Sequence, residues 1–244
     1  MIEVTNIHKS FGRVTALQGI SFSAADNQIT GLLGPNGAGK TTTLRILYTL
    51  LKPDQGQASV DGFDTRRNIL EVQRRIGVLP DSHGLYPRLT SRENIRYYGR
   101  LHGLDGALLE TRIEELVKLL DMQDMIDRRT DGFSTGQIMK VAIGRALVHQ
   151  PNNILLDEPT NGLDVISTRA MRTFILRLKD EGKCIIFSSH IMQEVSALCD
   201  QIVVISHGQV AASGTPQRFL ETTGQANLED AFIQAIGSEE GLER

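Results

Sequence analysis

Tryptophan is absent from this 244-residue sequence, and aromatic side chains make up only 5% of it. Together with 23 glycines, that scarcity points to an α/β protein with many tight turns. Cysteine occurs only as Cys184 and Cys199. Two thiols make no disulfide framework, and their spacing suits no zinc site. Their apolar neighbours predict buried free thiols in a reducing cytosol. No apolar run exceeds four residues, which predicts that no segment spans a membrane. The opening MIEVTNIHKS has no apolar stretch, so no secretory leader is expected. Positive charge is not in excess either. The net charge of −3 predicts no general nucleic-acid partner. What remains is an ordinary globular balance, 40% hydrophobic and 23% charged, enough for one sizeable domain.

The first part alternates strands and turns. IEVTNIHKSF and VTALQGISFSA flank a turn at Phe11-Gly12-Arg13, and QITGLL is a short apolar strand running into glycine. TTTLRILYTLL has helical spacing, KPDQGQ is a turn, and Asp61-Gly62 suits a type I′ hairpin. Between Asp81 and Gln150 the character becomes helical. Leu109, Ile113, Leu116 and Leu120 mark one helix face. NILLD, RAMRTFILRLKDEG and CIIFSS then form a β–α–β unit, which favours parallel strands. QIVVISHGQVAASG reads as a hairpin, and a polar helical tail starts at Pro216. The expected layout is one domain over 1–244. Segments 1–80 and 151–215 form its α/β core, 81–150 a helical insertion and 216–244 a helical tail.

Two segments carry chemistry. Residues Gly34-Pro35-Asn36-Gly37-Ala38-Gly39-Lys40-Thr41 fit the phosphate-loop pattern G-x-x-x-x-G-K-[ST], between a strand and a helix. Glycines let successive backbone N–H groups turn inward around an anion, and the following helix presents its N-terminus to phosphates. Lys40 reaches the β- and γ-phosphates, and the Thr41 hydroxyl ligates Mg²⁺. The second segment, Ile154-Leu155-Leu156-Asp157-Glu158, is an apolar strand ending in two carboxylates. Asp157 can hold Mg²⁺ through water. Glu158 can take a proton from water attacking the γ-phosphate. The plainer reading of the pair is a strand end with solvated acids.

These segments, with Phe133-Ser134-Thr135-Gly136-Gln137, Leu156-Asp157-Glu158-Pro159-Thr160, Gly162-Leu163-Asp164 and Ser189-His190, follow the order and spacing of ABC transporter ATPases. The resemblance covers nearly the whole chain. Within that family, VDGFD, DSHGLYPRLTSRENI, GFSTGQ, KVAIGRALVHQP and HIMQEVSALCD resemble the sodium-exporter type, and related drug and lipid exporters share much of this text. The resemblance implies a phosphate-loop NTPase core with an N-terminal antiparallel β-subdomain and an inserted helical subdomain. ATP would lie along residues 34–41 and Thr42, with Phe11 stacked on adenine. Catalysis would fall to Lys40, Glu158 and His190, and Mg²⁺ to Thr41, Asp157 and Asp81. Ser134, Thr135, Gly136, Gln137 and Asp164 would act in trans, on ATP held by a second copy.

Several of these residues also have plainer readings. Ser134-x-x-Gln137 is a capping box, and Asp164 is a helix N-cap before VISTRAMR. Phe11 suits a half-buried strand residue, and His190 a strand end bonded to backbone. The chain departs from the family at Thr135, where glycine is usual, and at Ile138-Met139. It departs again at Asp81, where the family has glutamine that meets Mg²⁺ and senses the membrane partner. Asp81 could instead cap a turn before Ser82. The expected partners are a second copy and a separate permease that docks near Asp81 and the helical insertion, at the cytoplasmic face of the membrane. Ser134 follows Lys40 by 94 positions without sustained heptads between them, which argues against the coiled-coil DNA-repair relatives. A ribosome-acting relative would carry two such domains in one chain. A GTPase would carry N-K-x-D, which does not occur. A purely regulatory ATP-binding module would be expected to lack Glu158 or His190.

Overall fold

The computed structural model of the chain describes residues 1–82 and 84–237. It opens with β1 (Ile2–Phe11) and β2 (Val14–Ala24), joined at Gly12-Arg13, followed by β3 (Gln28–Leu33) and α1 (Lys40–Leu47). β4 (Gln55–Val60), β5 (Phe63–Asp64), α2 (Ile69–Arg75) and β6 (Ile76–Leu79) come next. Three helices then occupy the chain before β7 (Asn153–Asp157): α3 (Ser91–Leu101), α4 (Gly106–Leu119) and α5 (Thr135–Leu147). After β7 come α6 (Val165–Asp180), β8 (Cys184–Ser189), α7 (Met192–Leu198), β9 (Gln201–Ser206) and β10 (Gln209–Gly214). α8 (Pro216–Thr223) and α9 (Leu228–Ile236) end the described chain, and 238–244 of the expected helical tail lie outside it.

Two sheets form. β2-β1-β4-β5 is antiparallel throughout. The second runs β10-β9-β3-β8-β7-β6, parallel except for the β9–β10 hairpin. The parallel strands are apolar runs because both their faces are covered. Period-two alternation sends Ile29, Leu33, Ile185 and Phe187 into a core shared with α4, α5 and α6. It sends Leu32, Cys184 and Ile186 to the opposite face, against the antiparallel sheet and α1. β3, β7 and β8 all end at the same edge of the sheet. There the chain places the phosphate loop, the Asp157-Glu158 pair and His190, at the carboxyl ends of parallel strands where α/β proteins bind ligands.

Local differences from the sequence reading have physical causes. The helix after the phosphate loop stops at Leu47 instead of running to Leu51, because Thr49 takes a left-handed backbone (φ 69°). Leu51 still packs inward, which is why the apolar spacing overran the helix. Strand β4 starts at Gln55, inside the stretch read as a turn. Cys184 is buried, whereas Cys199 is only half-buried, against Gly31.

Candidate active site

The site grows from the N-terminus of α1. Gly39 precedes the helix at φ 113°, a conformation open to glycine, and no side chain caps the first turn. The free N–H groups there face outward with the positive end of the helix dipole. A Cβ on Gly34 would lie 2.2 Å from the Ile205 carbonyl, so the loop packs tightly on β9. Lys40 is buried, and its Nζ donates to Gly34 O at 2.7 Å and Pro35 O at 3.3 Å. The same ammonium sits 3.3 Å from Glu158 Oε1.

Across from α1, β7 and β8 deliver the acidic half. The Thr41 hydroxyl donates to Asp157 Oδ1 at 3.2 Å, and the Ser188 hydroxyl donates to the same oxygen at 2.6 Å. The Glu158 amide donates to Ser188 Oγ at 3.0 Å. Burial raises the Asp157 pKa above the ordinary carboxylate value, against the Ser188 and Thr41 hydrogen bonds, and the Glu158 and Asp81 charges add to the rise. Glu158 itself has a left-handed backbone, φ 49°. Its Oε2 lies 3.0 Å from His190 Nδ1.

Together these groups enclose a cavity of about 350 Å³, lined by Pro35, Asn36, Gly37, Gly39, Lys40, Thr41, Thr42, Asp81, Asn161, Glu158 and His190. The structure thus brings Asp81 to the phosphate loop. A hydroxyl and two carboxylates are hard oxygen donors, the set that suits Mg²⁺ completed by water and phosphate oxygens. Among the described residues no group of three or more His, Cys, Asp or Glu converges as a metal cluster. Sequence reasoning missed Asn161 and Ser188. The signal for Ser188 was a serine pair closing an otherwise apolar strand, which needs a buried partner.

The residues expected to act in trans lie elsewhere. Ser134 and Gln137 form a complete capping box at the start of α5, the Ser134 hydroxyl accepting from Gln137 N and Gln137 Oε1 from Ser134 N. Asp164 caps α6 by accepting from Ser167 N at 2.7 Å. Ser134, Gly136 and Gln137 line a different, largely apolar pocket with Leu163 and Ser167. None of them lines the phosphate cavity. Beyond Asp164, Val165 and Ile166 are more than four-fifths exposed. Phe11 is half-exposed at the end of β1, with Lys9 Nζ 5.5 Å from its ring centre.

A second cavity, about 510 Å³, opens between α2, β6, α3 and the end of α5. Leu70 and Leu101 stand exposed on its rim. Inside, His102 and His149 stack face to face, ring centres 3.6 Å apart. Burial and the neighbouring His102 push His149 down to about 4, against its bond to Ile76 O. Arg145 lies over the Tyr98 ring and donates to Gly84 O, on the loop that carries Asp81.

The family model described as ABC transporter matches residues 17–161. The chain is 45% identical over 241 residues to the ABC transporter ATP-binding protein NatA of Bacillus subtilis, covering 97% of this chain and 98% of that one. It is 33% identical to the linearmycin resistance ATP-binding protein LnrL of the same organism, covering 98% of this chain and 79% of that one. A solved ATP-binding subunit of an ABC transporter superposes with a TM-score of 0.88 at 27% identity, over 96% of this chain and 99% of that one. A bacterial ABC transporter cassette, MJ0796, solved as a dimer, superposes with a TM-score of 0.81 at 25% identity, over 88% of this chain and 98% of that one.

Proposed function

The chain belongs to the ABC transporter ATPases, and from that premise we propose that it powers an exporter whose pathway is a separate membrane-spanning protein. The observation that carries the catalytic reading is the convergence of Lys40, Glu158 and His190 on one helix N-terminus. The backbone N–H groups of Gly37, Gly39, Lys40, Thr41 and Thr42 and the Lys40 ammonium bind the triphosphate. Lys40 exchanges its loop carbonyls and Glu158 for phosphate oxygens. Glu158, released from Lys40 and oriented by His190, accepts the proton of the attacking water. Thr41, Asp157 and Asp81 are the oxygen donors that would hold Mg²⁺, and a cation there would offset the cost of burying the Asp157 charge. That ion, when bound, draws negative charge off the phosphates. Lys40→Ala should weaken ATP binding as well as hydrolysis, because phosphate charge is present before and during the reaction. Unchanged affinity in a nucleotide titration would contradict this role.

Two copies pair head to tail, so that Ser134–Gln137 and Asp164 of one complete the cavity of the other. Phe11 supplies the face on which adenine stacks. The cavity between α2, α3 and α5 receives a short helix of the permease, next to the Asp81 loop. That contact holds the ATPase peripherally at the cytoplasmic face, and no helix among the described residues is long and apolar enough to cross a membrane. The cargo we propose is sodium, on the resemblance of VDGFD, DSHGLYPRLTSRENI and HIMQEVSALCD to sodium-exporter ATPases. The second reading is drug export, favoured by the match to a protein named for linearmycin resistance. Reconstitution with the membrane protein that co-purifies with the chain decides between them. ATP-driven Na⁺ movement in sealed vesicles is the expected result, and drug movement without Na⁺ flux would overturn the sodium reading.

A further inference from the structure

Ser188 lies on β8, the central strand between β3 and β7, in register with Asp157 and fully buried. Every other strand residue from Cys184 to Phe187 is apolar. A hydroxyl in that setting is costly unless bonded, and this one is bonded twice. It accepts the Glu158 amide at 3.0 Å, so its own proton is committed to Asp157 Oδ1 at 2.6 Å. Glu158 needs such an anchor. Its backbone is left-handed at φ 49°, a region unfavourable for a residue with a Cβ, and it precedes a proline, which ordinarily pushes a residue to extended backbone. The Glu158 carbonyl in turn accepts from Asn161 N at 3.0 Å, so the turn is tied at both ends.

We propose that Ser188 is a positioning residue for hydrolysis. It fixes the Asp157–Glu158 peptide so that the Glu158 carboxylate stays in the phosphate cavity, and it locks the Asp157 oxygen that also meets Thr41. The inference rests on the reading of Glu158 as the base. Its effect is on orientation, not on nucleotide affinity, because Ser188 itself does not line the cavity. Misplacing a reacting group by about 1 Å costs on the order of 10²-fold in rate.

The test is steady-state ATP hydrolysis by the full chain at saturating Mg²⁺, for Ser188→Ala, Ser188→Thr, Glu158→Gln and the Ser188→Ala/Glu158→Gln double variant. Thermal melts verify that each is folded. Ser188→Ala is expected to lower kcat roughly 10- to 100-fold with KM for ATP within about threefold. Ser188→Thr keeps the hydroxyl and returns most of the lost rate. In the Glu158→Gln background, Ser188→Ala should add less than about twofold, since no base remains to be aimed. Wild-type kcat for Ser188→Ala, or a loss that adds in full to that of Glu158→Gln, overturns the inference and leaves the base reading standing. Wild-type turnover by Glu158→Gln removes the base reading and this inference with it.

Discussion

Two helix N-termini in this molecule carry opposite chemistry. That of α1 has no side-chain cap, and buried Lys40, Asp157 and the half-buried Glu158 surround it. That of α5 is closed by its own Ser134–Gln137 box and stands away from the phosphate cavity. The first is an anion site whose charges are already gathered within one chain, at a cost visible in the raised pKa of Asp157. The second is satisfied within the chain, yet its Ser134 hydroxyl keeps a proton to donate outward. The difference teaches that catalysis and closure are built by different physics. One region is strained and preorganised. The other is a stably capped surface, whose proposed role depends on a second molecule.

The largest effect should come from the strained region. Glu158→Gln keeps shape and hydrogen bonding but removes the proton acceptor, and should cost about 10²- to 10⁴-fold in kcat. ATP binding should persist, and the ATP-bound dimer should live longer. Normal turnover would break the contrast at its strong end.

The C-terminal end of α5 lies beside the cavity between α2, β6 and α3, where pH probes it. His149 titrates near 4 in the fold against an ordinary value of 6.5. Both states are neutral at pH 7, so nothing is lost there. As pH falls below 6.5 the unfolded chain takes up a proton that the folded chain refuses. Stability should then fall until about pH 4, by on the order of 3 kcal/mol in total. His149→Gln should flatten that slope in denaturant titrations between pH 7 and 4. An unchanged slope would refute the assignment to His149.

Smaller effects should differ in sign between the two regions. Ser134→Ala or Asp164→Ala removes an N-cap and should cost about 1 kcal/mol, or about 2–4 °C in Tm. Asp157→Asn removes a charge that burial disfavours, so it should raise the Tm of the nucleotide-free chain while suppressing hydrolysis. Melting curves without nucleotide check both. Destabilisation by Asp157→Asn would show that the site is not strained as described.

Much of this was legible in the sequence because local chemistry dictates it. Glycine and lysine spacing placed the phosphate loop, Asp61-Gly62 placed a hairpin, and Ser134-x-x-Gln137 and Asp164 placed two caps. The cap reading holds at Ser134, whose oxygen accepts from Gln137 N and keeps its own proton for a partner outside the helix. What sequence could not give is set by long-range register. Ser188 faces Asp157 only because β7 and β8 pair in parallel at that register. The His102–His149 stack joins α3 to α5 across 47 positions, and neither residue stood out in isolation. The end of α1 was misplaced because Leu51 reaches the core from outside the helix.

In the proposed dimer, the α5 N-terminus completes the phosphate site of a second copy. The most direct measurement is ATP-dependent dimerisation by light scattering, in the Glu158→Gln background so that ATP is not consumed. With ATP and Mg²⁺, Glu158→Gln alone should dimerise, and Glu158→Gln/Ser134→Arg should remain monomeric because the arginine side chain blocks closure. Equal dimerisation by the two variants would contradict the shared site.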